Sequence, residues 1–224
     1  LLCLLVVAGL GYINAQNLSR SPYSRYGLGE IEFQGFQNQR AMGRLTQAMG
    51  GPFSISIANP ASYSSLKYVN YNFGAAAFSS VQRNTNQERI SNNAGLNYLA
   101  LGLPFKKNSG WGGAFGFLPY SSTGYNESSL AVDSSGIGFN NQFTGTGGIN
   151  KVFIGTGYDI TPKISFGANA AYLWGQRIDA KTVIFPDTLA YLPYKEDVTT
   201  YVRGFNFDLG FQFKDTLVKQ DTSN

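Results

Sequence analysis

The polar side chains best suited to binding chemistry lie at alternate positions within apolar, aromatic-rich segments. Asn70 and Asn72 lie in one such segment, Asn169 in a second, and Asn206 and Asp208 in a third. In an extended chain, alternate side chains point to the same face, so these amides and the carboxylate would share one surface. They could contact a substrate, or they could hydrogen-bond to another part of the same protein.

Two arginines, Arg25 and Arg44, precede these segments in a region rich in Gly and Pro. A guanidinium can pair with an acidic side chain of the protein or with the carboxylate of a ligand. Pairing within the protein is the simpler interpretation, and ligand contact is the alternative.

Enzymatic chemistry has little support. The chain has no His and a single cysteine, Cys3, which removes Ser-His-Asp and Cys-His arrangements and most metal sites. Two acidic or hydroxyl clusters, at residues 133–135 and at Glu196 and Asp197, are typical of solvated loops. The sequence therefore predicts a protein that is not an enzyme and needs neither a cofactor nor a metal.

The N-terminus indicates export. Residues 1–11 are apolar and are followed by Tyr12, Ile13, Asn14 and Ala15, which predicts a secretory signal over residues 1–15 with cleavage after Ala15. The run is shorter than the roughly 20 residues of a membrane-spanning helix. Because no Met or basic region precedes it, we expect the first residues of the protein to be missing.

Composition narrows the class further. Charged residues make up 13% of the chain, about half the usual share of a soluble domain. The chain contains 27 Gly, 14 Tyr and 17 Phe. The net charge of +4 comes from scattered basic residues, so no nucleic-acid partner is expected.

Residues 201–213 show the elements that position these side chains most clearly. One set of alternate positions is aromatic or aliphatic apart from Arg203, and the other set is small or polar. This pattern is typical of a strand with one face towards lipid and one towards the lumen of a membrane barrel. The six predicted strands are 68–81, 90–103, 111–120, 147–158, 163–180 and 201–213.

The connections between these strands alternate in length. Short turns are predicted at 104–110 and 159–163, and long polar loops at 121–146 and 181–197, with a connection of middling length at 82–89. Outer-membrane barrels have short periplasmic turns and long extracellular loops, and they need about eight strands to close. The sequence therefore predicts an all-β, antiparallel, incomplete transmembrane barrel over residues 67–224, an N-terminal portion with an open sheet.

Residues 16–66 do not have a strand pattern. Gly and Pro recur at turn spacings, with one short helix predicted at residues 40–49. A segment of this length before the first strand predicts a hatch, or plug, folded into the mouth of the barrel.

Several residues of this hatch resemble the FadL-type family, outer-membrane transporters of long-chain fatty acids and other hydrophobic compounds. The residues that carry the resemblance are Gly43, Gly50, Gly51, Asn59, Pro60 and Ala61, followed by a first strand at 68–78. Residues 21–29 are similar to the branch that includes PorV-like proteins of a secretion system. Residues 53–58 lack the acidic residue often seen before the motif.

The Asn-Pro-Ala motif also has a physical interpretation of its own. Pro60 fixes its own φ and disfavours helical geometry at Asn59, whose side chain can bond to nearby backbone. A turn that packs the hatch against the barrel wall is the simpler role, and direct ligand contact is the alternative.

The resemblance implies passive transport of hydrophobic small molecules past the hatch, in the outer membrane of a Gram-negative bacterium. Its expected partners are outer-membrane lipid and a hydrophobic ligand such as a fatty acid. The alternative is a scaffold or secretion-system component that binds other outer-membrane or secreted proteins through its extracellular loops. Phe185, Tyr191 and Tyr194 of the second long loop suit either an interface or a ligand gate.

Overall fold

The computed structural model describes residues 21–84, 87–106, 109–132, 136–185 and 192–215. The predicted signal segment, Tyr191, the cluster at 133–135 and the C-terminal tail from residue 216 lie outside these ranges. The strands are β1 (Glu30–Ile31), β2 (Asn70–Asn84), β3 (Gln87–Lys106), β4 (Trp111–Val132), β5 (Gly138–Thr161), β6 (Ile164–Ile184) and β7 (Tyr194–Phe213). The helical pieces are two 3₁₀ helices, Pro22–Arg25 and Pro60–Ser65, and one α-helix, α1 (Gln37–Ala41).

The seven strands found in the described ranges belong to one antiparallel sheet, in the order β2-β3-β4-β5-β6-β7, with β1 paired to the edge of β4. Each of the six predicted strands is present, so the antiparallel all-β prediction is confirmed. In the described ranges no strand pairs with the outer edge of β2 or of β7, and the sheet is open. No helix in these ranges is long and apolar enough to cross a membrane.

The predicted long loop at 121–146 is wrong. β4 continues to Val132 and β5 begins at Gly138, and the two strands pair along their whole length. The loop was predicted because these side chains are polar. Two strands pair through their backbone N–H and C=O groups, however, and that pairing does not require apolar side chains. The connections predicted at 82–89 and 181–197 are also shorter than expected, because the flanking strands extend into both.

Two smaller predictions in the hatch are also corrected. The helix expected at 40–49 is instead α1, and it ends where Gly43 and Arg44 adopt left-handed φ values of 73° and 65°. That backbone conformation cannot continue a right-handed helix. The hatch also contributes one short strand, β1, beside β4.

The two faces of the sheet differ in chemistry. Between Phe205 and Phe213 of β7 the outward positions carry large apolar side chains that are exposed, and the inward positions are small or polar. The outward aromatic and aliphatic side chains of β4–β7 form a surface that we call the apolar band. It comprises Trp111, Phe115, Phe117, Val152, Ile154, Tyr158, Phe166, Tyr172, Trp174, Phe205, Phe207, Leu209, Phe211 and Phe213. It extends over residues 111–117 of β4, 152–158 of β5, 166–174 of β6 and 205–213 of β7. On β6 and β7 this approaches the roughly nine to eleven residues of a tilted membrane-spanning strand, and on β4 and β5 it is shorter.

The core lies between the inward face and the hatch. Phe36, Ile55, Ile57 and Tyr63 of the hatch are at most 2% exposed, and they form one cluster with inward side chains of the sheet such as Phe153. The hatch therefore provides the apolar partner that the inward face of the sheet would otherwise lack.

Candidate functional site

The inward face of the sheet contains a row of four glycines in register across four strands. Gly112 of β4 pairs with Gly157 of β5, Gly157 with Gly167 of β6, and Gly167 with Gly210 of β7. We call this set the glycine row. Because none of the four has a side chain, the row forms a shallow trough across the sheet.

The 3₁₀ helix Pro60–Ser65 lies in this trough. A Cβ added at Gly157 would lie 2.5 Å from the carbonyl oxygen of Pro60, and one at Gly167 would lie 2.5 Å from the backbone nitrogen of Ala61. Both distances are far inside van der Waals contact. The glycines are therefore required by the close approach of two backbones.

Asn59, which precedes this helix, bonds to both sides of the contact. Its Oδ1 accepts from the backbone N–H of Ala61 at 3.2 Å, and its Nδ2 donates to the carbonyl oxygens of Gln47 at 2.8 Å and Phe211 at 3.1 Å. The Asn-Pro-Ala motif thus closes its own turn and joins it to β7. Pro60 and Ala61 are buried at the glycine row, and the structure gives all three residues packing contacts.

Gly43, Gly50, Gly51 and Arg44 lie at turns or in irregular segments of the hatch. Gly50 packs near Ser62, where an added Cβ would be 3.2 Å from the Cβ of Ser62, and Gly51 forms an isolated β-bridge with Ser54. Gly43 and Arg44 terminate α1, and the Arg44 guanidinium lies 5.5 Å from the ring centre of Phe33.

Three of the five predicted lumen residues lie close together on the inward face. Asn169 donates to the carbonyl oxygen of Ile57 at 3.0 Å, and Asn206 donates to Asp208 at 3.0 Å. Asp208 also pairs with Lys151 of β5 at 3.4 Å. Burial raises the pKa of the neighbouring Tyr63 phenol, which keeps it neutral. These polar groups bond mainly to one another and to the hatch.

Lys151 is the member of this cluster that sequence reasoning missed. Its side chain is only 5% exposed, and it pairs in register with Leu118 and Leu173. The sequence did contain a signal for the orientation of Lys151. Alternate residues of a strand share one face, so Lys151 lies on the same face of β5 as Gly155 and Gly157. Its partner Asp208 lies two strands away, and no local pattern indicates that pairing.

Asn70 and Asn72 lie elsewhere, at the N-terminal end of β2. The Asn72 amide donates to Asn70 at 2.7 Å, and the Asn70 amide donates to the carbonyl oxygen of Phe53 in the hatch. In the described contacts they share no hydrogen bond with the cluster around Asp208, so the five predicted lumen residues do not form one site.

We call the end of the sheet at the β4–β5 and β6–β7 turns its upper end. Above the glycine row, residues 22–32 of the hatch run along the part of β4 that β3 does not cover. We call this segment the strap. β3 pairs with β4 from Lys106 to Leu99, and β1 pairs beyond that point, with Glu30 opposite Ser122 and Ile31 opposite Ser121. The strap therefore takes the place of a neighbouring strand on this edge.

Charged side chains hold the strap to the sheet. Arg177 donates to the carbonyl oxygens of Gly27 at 2.5 Å and Arg25 at 2.6 Å, and it pairs with Asp179 at 2.8 Å. Arg25 pairs with Glu127 at 3.0 Å. The Arg25 guanidinium also lies 4.1 Å from the ring centre of Phe143. Arg25 is therefore bonded within the protein, and no ligand is needed to explain its position.

Tyr125 completes this upper network. Its hydroxyl donates to Asp179 at 2.6 Å, and burial together with that carboxylate raises the pKa of Tyr125 to about 12. Of the upper network, sequence reasoning identified Arg25 but missed Tyr125, Glu127, Arg177 and Asp179. Tyr125 and Glu127 fell within a predicted loop, and the other two lie at the end of a predicted strand.

The described residues contain no group of three or more Asp, Glu, His or Cys side chains that could hold a metal ion. The inward face offers a packed hatch, hydrogen-bonded polar clusters and charged strap contacts. The inward face of the sheet is covered by the hatch, the outward face carries the apolar band, and the β4–β5 and β6–β7 hairpins extend beyond the band with mostly polar side chains.

Comparison with known proteins defines the family. A family model named BamG matches residues 1–223, so this chain belongs to the BamG family. No curated protein and no solved structure matches the chain. The BamG family is associated with the machinery that assembles proteins of the Gram-negative outer membrane.

This membership corrects the FadL-type resemblance, which is wrong, and with it the expectation of fatty-acid transport. Of the residues that carried the resemblance, Asn59, Pro60 and Ala61 pack the hatch against the strands, whereas Gly43 and Gly51 make no close contact with them. A self-capping Asn-Pro-Ala segment and glycines at chain reversals meet packing and backbone requirements, which carry no information about cargo. A fatty-acid ligand therefore has no support, whereas association with other outer-membrane proteins does.

Proposed function

We propose that this chain is a non-enzymatic component of the outer membrane that associates with the machinery assembling outer-membrane proteins, the BAM complex. The observation that carries the proposal is the BamG family match across residues 1–223. Binding of other proteins was the alternative derived from the sequence, and it fits this family better than transport does.

The apolar band supports placement within the membrane. Side chains such as Phe207 and Leu209 are 72% and 87% exposed, a state that is unfavourable in water and favourable against lipid. The inward face is filled by the hatch, so the sheet presents its apolar surface outward only. We therefore propose that β4–β7 lie in the outer membrane as strands of a barrel wall.

Beyond the band, the β4–β5 and β6–β7 hairpins form two arms with exposed apolar residues of their own. Leu130 is 87% exposed and Leu192 is 88% exposed, and both lie well past the last aromatic residues of the band. Exposed apolar side chains such as these can be buried against a partner protein. The arms are our candidate surface for partner proteins.

Site-specific photo-crosslinking in native outer membranes tests this proposal. A crosslinking amino acid at Leu130 or at Leu192 is expected to capture components of the BAM complex. The same group at Ile160, which is 61% exposed at the opposite end of β5, serves as the matched control and is expected to capture none. Isolation of the chain free of BAM components, from membranes whose BAM complex remains intact, would contradict the proposal.

A further inference from the structure

A groove of about 520 Å³ lies on the outward face of β5, β6 and β7, at the upper boundary of the apolar band. Its lining includes Asn150, Trp174, Gln176, Tyr201 and Arg203. The register explains the grouping, because Asn150 pairs with Trp174 and Trp174 with Arg203, while Gln176 pairs with Tyr201.

Arg203 is the unusual member of this group. It occupies an outward position of β7 that alternation would otherwise give to an apolar side chain, and it is exposed. In the described residues no carboxylate pairs with it and no side chain accepts a hydrogen bond from it. No acidic residue lines the groove, so the guanidinium is available to an external anion.

The surroundings define what kind of anion would fit. Below Arg203 the outward positions of β7 are Phe205 and Phe207, and Trp174 lies within an aromatic group whose rings are about 6 Å apart, including Phe117 and Tyr172. Above Tyr201 the outward positions are polar. A ligand that matches this order has a charged end at Arg203 and an apolar end along the band.

We propose that this groove binds the phosphate-bearing headgroup of an anionic membrane lipid, one without a cationic group to neutralise its phosphate. Arg203 pairs with the phosphate, the amides of Asn150 and Gln176 donate to headgroup oxygens, and the acyl chains lie along Phe205 and Phe207. Trp174 and Tyr201 flank the headgroup at the depth where amphipathic rings prefer to lie. The proposal rests on the membrane placement proposed above.

Quenching of Trp174 fluorescence by brominated lipids tests the groove directly. The full chain, with Trp174 as its single tryptophan after Trp111→Phe, is reconstituted into phosphatidylcholine vesicles. Part of the lipid is brominated phosphatidylglycerol or, at the same fraction, brominated phosphatidylcholine. We expect the anionic lipid to occupy the groove about fivefold more readily, as one arginine at a membrane surface would produce.

Two variants connect that preference to Arg203. Arg203→Gln is expected to remove the preference while leaving quenching by both lipids. Lys195→Gln, on an outward position of the same strand but beyond the band, is expected to leave the preference intact. Equal quenching by the two lipids, or a preference that survives Arg203→Gln, would overturn the groove proposal alone. Absence of quenching by either lipid would overturn the membrane placement as well.

Discussion

The hatch contacts the sheet at two levels, and different forces hold each contact. At the glycine row, the 3₁₀ helix Pro60–Ser65 lies backbone to backbone against four strands, and Tyr63 is fully buried. At the strap, Arg25 and Glu127 are joined by an ion pair whose side chains are 32% and 31% exposed. The lower contact depends on shape, and the upper one depends mainly on charge.

This difference indicates which part of the hatch can move. Displacing the 3₁₀ helix would open a void along four strands and leave the hydrogen-bonding groups of Asn59 unpaired. Releasing the strap exchanges ion pairs and a short β-bridge for contacts with water and salt ions. The lower contact should therefore behave as part of the core and the upper one as a separable element.

Filling the glycine row should have the largest effect. Gly167→Val would place a branched side chain against the backbone of Pro60 and Ala61, and we expect a loss of about 3 kcal/mol or more, or failure to fold. Thermal unfolding in detergent and proteolysis of the hatch measure the loss. Gly204→Val is the control, because an added Cβ at that inward position of β7 meets no heavy atom within 4 Å. Similar unfolding of the two variants would show that the row does not hold the hatch.

Removing the Asn59 amide should have the next largest effect. Asn59→Ala deletes three hydrogen bonds at a residue that is 6% exposed, and we expect a loss of about 2 to 3 kcal/mol. Asn72→Ala is the matched control, because its amide donates to Asn70 on the same strand. We expect less than about 1 kcal/mol for that control. A loss at Asn59 no greater than at Asn72 would contradict a lower contact anchored by the motif.

Removing Arg177 should release the strap and spare the lower contact. Arg177→Gln removes the bonds to the carbonyl oxygens of Gly27 and Arg25, at a local cost of about 1 to 2 kcal/mol. Hydrogen exchange is expected to increase at residues 24–32 and to stay unchanged at residues 59–65. Lys181→Gln, on the same inward face, should change neither region. An equal increase in hydrogen exchange at both regions would mean that the hatch opens as one unit.

The strands and their faces could be predicted from the sequence because the signal is local. Alternation along residues 201–213 identifies β7 and both its faces without knowledge of any neighbour. The arms could not be predicted in this way, since polar side chains in water leave no alternation to detect. Their pairing, from Leu130 opposite Asn140 to Val132 opposite Gly138, depends on the backbone.

The site was less predictable because its contacts join distant parts of the chain. Lys151 meets Asp208 across an intervening strand, and Arg177 bonds to a strap that lies about 150 positions earlier. Neither pairing leaves a pattern in either segment alone. The Asn-Pro-Ala motif holds the hatch against the strands, and the resemblance to a transporter family that it carried was wrong because packing motifs recur in proteins of different function.

The Arg25–Glu127 ion pair should have the smallest effect on stability, and a double-mutant cycle measures its coupling free energy. Arg25→Gln, Glu127→Gln and the double variant should give a coupling free energy of about 0.5 to 1 kcal/mol, because both side chains are about one-third exposed. The coupling should decrease in concentrated salt, since water and ions reach the pair. A coupling above about 2 kcal/mol that is independent of salt is the behaviour of a buried pair. That result would place the strap in the same class as the glycine-row contact and remove the distinction between the two levels.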